Sequence, residues 1–211
     1  MPRTEPFETH PDRYDEWFEH NEATYRSELA ALEQFVDGDA DGLEIGVGSG
    51  QFADPLDIGV GVDPSREMLH RAAERGIRVI QGAAEALPLR SDRFDVALVV
   101  TTICFVDDVR ATLAEAARVL DAAGRLVIGF VDRESEFGRH YREIAADNPF
   151  YSDATFLSAT DVLAALEAED YRDVAVAQTV FDPPGEHDAV DEPRAGHGEG
   201  SFVAIAARPP E

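Results

Sequence analysis

A short apolar segment that ends in three closely spaced glycines constrains this chain more than any other feature. Residues 43–50 have the sequence LEIGVGSG, in which an apolar run leads directly into Gly46, Gly48 and Gly50. A glycine-rich turn lets the backbone approach a ligand, because no Cβ stands in the way. In open α/β sheets, ligands bind at the carboxyl ends of the strands. The segment therefore predicts a first strand followed by a ligand-binding turn.

Apolar runs alternate with helical patterns through the middle of the chain. Helices are predicted at 65–75, where Ser65 would be the N-cap and Gly76 the stop, and at 108–120. Strands are predicted at 43–47, 58–62, 77–80, 94–100 and 126–131. This alternation is typical of a doubly wound α/β fold, with a mostly parallel sheet and helices on both faces.

The two ends of the chain have different patterns. Further helices are predicted at 11–36, 135–147 and 160–169. Two further strands, at 174–181 and 202–207, flank an acidic loop at 182–200 that is rich in Pro and Gly. We expect the loop to be a solvated insertion. The two strands would form an antiparallel hairpin at one edge and bring the sheet to seven strands.

The length of 211 residues is that of one domain. We expect a single domain over 1–211 with three parts. A helical lid or cap would occupy 1–38, a ligand-binding core 39–132, and a helical insertion followed by the hairpin 133–211.

The charge of the chain is strongly acidic. It has 43 acidic and 18 basic residues, which give a formal net charge of −25. There is no lysine, so all 18 basic residues are arginine. Such a charge destabilises a compact state by self-repulsion, and molar salt screens it by reducing the Debye length to ~3 Å. We therefore expect a protein adapted to a salt-rich cytoplasm. The charge also argues against a nucleic-acid partner, which needs a basic surface.

No segment indicates export, membrane attachment or a metal. The first residues are polar and do not resemble a signal peptide, and no run approaches the ~18 apolar residues of a membrane span. Cys104 is the only cysteine, which excludes an intrachain disulfide and a thiolate cluster. No histidine–carboxylate spacing suggests a metal site. We expect a cytoplasmic protein without a metal.

Two features narrow the ligand of the glycine turn. Asp63 ends the second strand, just before Pro64, and could accept hydrogen bonds from two adjacent ribose hydroxyls, although it could also interact with the dipole of the next helix. Gly82 and the backbone N–H groups after it could border an adenine ring, or could form a plain loop. The G-x-G-x-G spacing departs from the G-x-G-x-x-G of nicotinamide enzymes, and only a short helix fits before Pro55. A cofactor without phosphates is favoured.

Five segments together resemble the class I S-adenosylmethionine (SAM) dependent methyltransferases, particularly the methyltransferase type 11 group. These are EIGVGSG, GVDPS, QGAAEALP, RFDVALVV and ARVLDAAGRLVIGF, within 40–135. The resemblance implies SAM as the cofactor, with Glu44 facing the methionine amino group and Asp63 the ribose. Ala83 departs from the acidic residue that many relatives have there. The implied cofactor-binding residues are Glu44, Gly46, Gly48, Gly50, Asp63, Pro64, Met68, Gly82, Ala83, Ala84, Glu85, Thr101 and Thr102.

The acceptor side of such an enzyme is harder to predict. The aromatic N-terminal helix would lie over the cofactor as a lid, or would only pack on the sheet; His140 and Tyr141 lie where relatives insert substrate-recognition elements. The candidate substrate-binding residues are Tyr14, Trp17, Phe18, Tyr25, His140 and Tyr141. The run at 148–151 resembles the N-P-P-Y of amino-group methyltransferases, but it does not follow the fourth strand, so we interpret it as a helix-stop turn.

The leading hypothesis is methyl transfer to a small-molecule acceptor. The alternative is a SAM-binding regulatory or partner protein without turnover, because a fold alone does not prove catalysis. The sequence identifies no catalytic base, and it leaves open whether the chain is a monomer or a homodimer.

Overall fold

A computed structural model describes residues 4–38, 40–152, 154–183, 186 and 188–210. Its strands are β1 (Gly42–Ile45), β2 (Val60–Asp63), β3 (Arg78–Gln81), β4 (Phe94–Val100), β5 (Leu120–Val131), β6 (Arg172–Thr179), β7 (Arg194–Ala195) and β8 (Phe202–Arg208). All eight lie in one sheet, in the order β3-β2-β1-β4-β5-β8-β6-β7. Strands β1 to β5 pair in parallel, whereas β8 is antiparallel to both β5 and β6.

This topology confirms the predicted doubly wound, mostly parallel sheet with an antiparallel C-terminal pair of strands. The strand count differs by one because β7 pairs with β6 through Ala177 and Ala195. A strand of two residues inside an acidic loop is too short to leave an alternating pattern in the sequence. Strand β5 also begins at Leu120, where Phe94 pairs with it before a shift in register.

The helices are α1 (Glu5–Thr9), α2 (Pro11–His20), α3 (Glu22–Glu33), α4 (Arg66–Glu74), α5 (Val109–Val119), α6 (Glu136–Ile144) and α7 (Ala159–Ala168), with a 3-10 turn at Ala145–Asp147. Ser65 caps α4 as predicted, since its hydroxyl accepts the Met68 N–H at 3.2 Å. The segment predicted as helical over 11–36 is helical, but it forms two helices, α2 and α3. Asn21 interrupts it, and its backbone and side-chain N–H groups both donate to the carbonyl of Trp17.

The core lies on both faces of the sheet. Successive residues of β4 point to opposite faces, so Leu98 packs with Leu32 of α3 and Val99 packs with Leu113 of α5. Among the described residues, every helix is too short or too polar to cross a bilayer. The arrangement places the carboxyl ends of β1, β2 and β4 together, and Phe7 of α1 and Tyr14 of α2 lie beside the segments that follow them.

Candidate functional site

The glycine turn after β1 has a backbone that side chains rarely permit. Gly46, Gly48 and Gly50 all have positive φ, at 78°, 52° and 84°. A Cβ on Gly46 would lie 2.3 Å from Thr102, and one on Gly50 would lie 2.5 Å from Ile77. Gly46 and Gly50 are therefore needed for close packing around the turn, and Gly48 lies between them.

Asp63 joins the end of β2 to this turn. One oxygen of its carboxylate accepts the Gly48 N–H at 3.0 Å, and the other accepts the Ser65 N–H at 2.8 Å. Burial raises the pKa of Asp63 to about 6, although the two backbone hydrogen bonds work to lower it. Each oxygen keeps a lone pair for a second donor. Asp63 can therefore hold the turn and still accept hydrogen bonds from two hydroxyl groups of a ligand.

A cavity of about 100 Å³, here called the glycine cavity, opens at this edge of the sheet. Ten of the predicted cofactor-binding residues line it: Gly46, Gly48, Asp63, Pro64, Gly82, Ala83, Ala84, Glu85, Thr101 and Thr102. Glu44, Gly50 and Met68 do not line it, and Met68 is fully buried. The Glu85 carboxylate accepts the Asp107 N–H at 2.7 Å, so this side chain also fixes the loop after β4.

Glu44 is a buried carboxyl group with an unsatisfied oxygen. It is 1% exposed, and its Oε2 has no hydrogen-bond partner among the described residues. Burial, followed by the charge of Asp63, raises the pKa of Glu44, and an Ala53 backbone hydrogen bond opposes the rise. Burial, followed by the charge of Glu44, raises the pKa of Tyr14, which lines the glycine cavity. A cationic group within reach of its unsatisfied oxygen would compensate such a carboxyl group.

These groups fit the SAM that the resemblance implies. Gly48 has no side chain and lines the glycine cavity, so a ligand there can approach its backbone. Asp63 can accept hydrogen bonds from ribose hydroxyls, and the unsatisfied oxygen of Glu44 suits an ammonium group. Ala83 offers only its backbone and methyl group. No cluster of three or more His, Cys, Asp or Glu side chains within the described part of the chain could hold a metal ion.

A second cavity, of about 180 Å³ and here called the aromatic cavity, adjoins the first. Eleven of its nineteen lining residues are aromatic, namely Phe7, Tyr14, Trp17, Phe18, Phe52, Phe105, Phe130, Tyr141, Phe150, Tyr151 and Phe156. Phe7, Tyr14, Thr101 and Phe105 line both cavities. Molecules bound in the two cavities would therefore be neighbours, and both would contact these four residues.

Tyr14 organises the wall between the cavities. Its ring contacts Phe7 and Phe18 edge-on, with centroids 5.7 and 5.3 Å away, and lies 6.2 Å from Phe150. Edge-to-face packing is the favoured geometry for aromatic pairs. Burial of the hydroxyl, together with nearby carboxylates, raises the pKa of Tyr14 well above its usual value. The hydroxyl therefore stays protonated at neutral pH.

Helix α2 is fastened to the glycine turn by Asp15. Its carboxylate accepts Ser49 Oγ–H at 2.5 Å, Gln51 Nε2–H at 2.9 Å and Arg71 Nη1–H at 2.6 Å. Arg71 also donates to Asp12 at 2.6 Å. Burial works to raise the pKa of Asp15, but these hydrogen bonds outweigh it and the pKa is lowered. The same helix therefore touches the turn through its polar side and the aromatic cavity through its apolar side.

The structure separates the predicted substrate-binding residues into two groups. Tyr14, Trp17, Phe18 and Tyr141 line the aromatic cavity. Tyr25 does not, because its hydroxyl donates to the Gln51 carbonyl while its ring packs on Phe18 and Phe52. His140 lies in a separate outer cleft with Tyr141.

Several lining residues were missed by sequence reasoning, chiefly Phe7, Glu28, Phe105, Asn148, Phe150 and Tyr151. The run at 148–151 does form a turn after the 3-10 segment, but three of its side chains line the cavity. Its aromatic content was the available signal. Glu28 carried no such signal, since glutamate is common on helices.

The chain is similar to several known proteins. A family model described as Methyltransferase domain matches residues 43–128. An uncharacterised protein of Methanocaldococcus jannaschii is 41% identical over 201 residues, which cover 95% of this chain and 97% of that protein. A Thermotoga maritima crystal structure, described as a SAM-dependent methyltransferase and possible histamine N-methyltransferase, is 41% identical with a TM-score of 0.94, covering 98% of this chain and 99% of that one.

A more distant structure shares the fold alone. A Haloferax volcanii protein solved in complex with the Trm112 methyltransferase activator is 19% identical and has a TM-score of 0.71. The match covers 95% of this chain and 96% of that one.

Proposed function

Because the chain belongs to the methyltransferase type 11 group of class I SAM-dependent methyltransferases, we propose that it methylates a small molecule bound in the aromatic cavity. It is an enzyme of methyl transfer, and SAM is its methyl donor. The proposal concerns the acceptor, for which the arrangement of the two cavities is the main support.

The observation that carries the proposal is the shared wall. Phe7, Tyr14, Thr101 and Phe105 line both the glycine cavity and the aromatic cavity. When bound, SAM supplies an electrophilic methyl group on a sulfonium. An acceptor in the adjoining aromatic cavity is held close to that methyl group. Holding two reactants in line can provide much of the rate enhancement of a displacement reaction.

Thr101 has a distinctive position in this wall. It follows β4, has a positive φ of 51°, and donates its N–H to the Gly129 carbonyl at 2.7 Å. A non-glycine residue in this conformation stores strain that the surrounding structure must support. Thr101 therefore presents a fixed edge to both cavities. The aromatic rings exclude water from the reacting groups, which prevents competing side reactions.

The size of the aromatic cavity supports a small acceptor with one ring. Its volume is about 180 Å³, and an apolar cavity of about 150 Å³ is enough to bind benzene. The Thermotoga maritima structure described as a possible histamine N-methyltransferase points to acceptors of the same scale. An acidic chain with a net charge of −25 is also a poor candidate for methylating nucleic acid.

We extend the proposal to the organisation of the chain. Residues 1–38 act as a lid, 39–132 hold the donor, and 133–211 complete the acceptor side within one domain. Helix α2 supports the lid assignment, because Asp15 ties it to the turn while Tyr14 covers both cavities. We also propose that the protein works in a salt-rich cytoplasm, on the basis of its acidic excess and lack of lysine.

The function is tested with SAM labelled in its methyl group. The enzyme is incubated at molar salt with a desalted cell extract that has been split into low- and high-molecular-mass fractions. We expect enzyme-dependent label to enter only the low-mass fraction. Label confined to protein or nucleic acid would contradict a small acceptor, and SAM binding without label transfer to any fraction would favour the alternative of a SAM-binding regulator.

A further inference from the structure

Glu28 is an acidic residue in a cavity otherwise built from aromatic and apolar side chains. It lies on α3, is 4% exposed, and lines the aromatic cavity. The other charged lining residue is Arg13, which is exposed at the surface with its guanidinium 5.8 Å from the Phe150 ring centroid. Among the residues that line the buried part of the cavity, Glu28 is therefore the one with a formal charge, and this charge is negative.

The carboxyl group of Glu28 has no hydrogen-bond or ion-pair partner among the residues that the structure describes. Glu115 of α5 shows the contrast, because it pairs with Arg118 at 2.7 Å and accepts the Leu87 N–H at 2.7 Å. Burial alone raises the pKa of Glu28 to about 8. A buried carboxyl group without a partner is costly, so its retention is better explained by a ligand than by stability.

The aromatic rings near Glu28 suit a cation. Tyr141 and Tyr151 line the same cavity as Glu28. The two rings stack with centroids 4.8 Å apart, and Trp17 lines the same cavity. Aromatic faces attract cations, most strongly where water is excluded.

We propose that the methyl acceptor is a small one-ring amine, and that the Glu28 carboxylate binds its basic nitrogen while the aromatic rings enclose the rest of the molecule. This inference rests on the proposed function, because it treats the aromatic cavity as the acceptor site. Glu28 is then a binding residue that selects basic acceptors over neutral ones of the same shape.

The test is calorimetric binding to the full chain saturated with S-adenosylhomocysteine, at about pH 8 and molar salt. The amine probes are 2-phenylethylamine and histamine, and 2-phenylethanol is the neutral probe of matching shape. The variant is Glu28→Gln, which keeps the size of the side chain and removes its charge. Glu33→Gln, an exposed position on the same helix, is the matched control.

We expect at least one amine to bind the wild-type protein roughly tenfold or more tightly than the alcohol, and Glu28→Gln to abolish that preference. Glu33→Gln should keep it. Equal binding of amine and alcohol, an unchanged preference in Glu28→Gln, or no amine binding at all would each overturn the inference. The S-adenosylhomocysteine titration of the same samples separates this failure from that of the proposed function, because donor binding does not depend on Glu28.

Discussion

The two cavities of this enzyme are built on opposite principles. The glycine cavity is formed mainly by short contiguous segments at strand ends, in which backbone conformation and the carboxylate of Asp63 define the site. The aromatic cavity is assembled from side chains on α1, α2, α3 and α6, and on the turns after β4 and the 3-10 segment. The donor site is therefore determined by backbone conformation, whereas the acceptor site is determined by the side chains that come together there.

This difference follows from what each site must recognise. SAM is the same molecule in every member of the family, so one backbone geometry serves them all. The acceptor differs between enzymes, and variable helices and loops supply its contacts. Substitutions on the donor side should therefore lower cofactor affinity, whereas substitutions inside the aromatic cavity should change acceptor choice and leave cofactor affinity unchanged.

The largest effect is expected on the acceptor side, from Glu28→Gln. The folded-state pKa of Glu28 is raised from 4.5 to about 8, so the wild-type protein loses stability as the pH rises through that interval while the unfolded chain ionises freely. The full difference is roughly 5 kcal/mol above about pH 8, and it vanishes below pH 4.5. Urea unfolding of both proteins at several pH values measures it.

The sign of the effect distinguishes Glu28 from an ordinary surface carboxylate. Glu28→Gln should be more stable than wild type at alkaline pH and equally stable in acid. Glu33→Gln should follow the wild-type protein at every pH. If the stability of wild type and Glu28→Gln changed with pH in the same way, Glu28 would be solvated. The aromatic cavity would then lack the buried carboxyl group that distinguishes it from the glycine cavity.

The next effect tests whether backbone geometry defines the donor side, by comparing Gly46→Ala with Gly76→Ala. Both glycines have positive φ, at 78° and 91°, so both variants should lose about 1–2 kcal/mol of stability from strain. A Cβ on Gly46 would also clash with Thr102 at 2.3 Å, whereas nothing lies within 4 Å of one on Gly76. Gly46→Ala should therefore weaken S-adenosylhomocysteine binding by roughly 100-fold, about 3 kcal/mol.

Gly76→Ala is the control that introduces the backbone strain without a steric clash at the glycine cavity. Its S-adenosylhomocysteine affinity should equal that of the wild-type protein when measured by calorimetry. Equal losses of affinity in the two variants would mean that general destabilisation, rather than close approach at the turn, controls cofactor binding.

Asp63→Ala should produce a smaller loss on the same side. The variant removes the acceptor of the Gly48 and Ser65 N–H groups and leaves no carboxylate for ribose hydroxyls. We expect S-adenosylhomocysteine affinity to fall by roughly tenfold or more. Asp95→Ala is the control, because Asp95 also accepts a backbone N–H, from Asp41 at 2.9 Å, but lies away from the cavity. Unchanged affinity in Asp63→Ala would exclude Asp63 from the donor site.

The same contrast explains what the sequence could predict. Ten of the thirteen cofactor-binding residues lie on the glycine cavity because backbone constraints leave local signals, such as glycines at Gly46 and Gly48 and an acid at the end of β2. Phe7, Phe105 and Phe150 converge only through tertiary structure, and single aromatic residues have no spacing that predicts where they meet. The interruption between α2 and α3 at Asn21 was not predicted for a related reason, since the apolar periodicity continues across it.

The smallest effect concerns Asp15, which links the two sides through α2. Asp15→Asn removes the charge that pairs with Arg71 but keeps an oxygen that can accept from Ser49 and Gln51. The change removes one partly buried ion pair, which contributes about 1 kcal/mol, so S-adenosylhomocysteine should dissociate roughly threefold to tenfold faster in stopped-flow experiments. Asp12→Asn is the matched control, because Asp12 pairs with the same Arg71 yet its side chain is 83% exposed, and water screens such a pair. Equal rates in the two variants would show that α2 is held by its apolar face alone. A faster rate in Asp15→Asn only would mean that the acceptor side's own helix controls how long the donor stays bound.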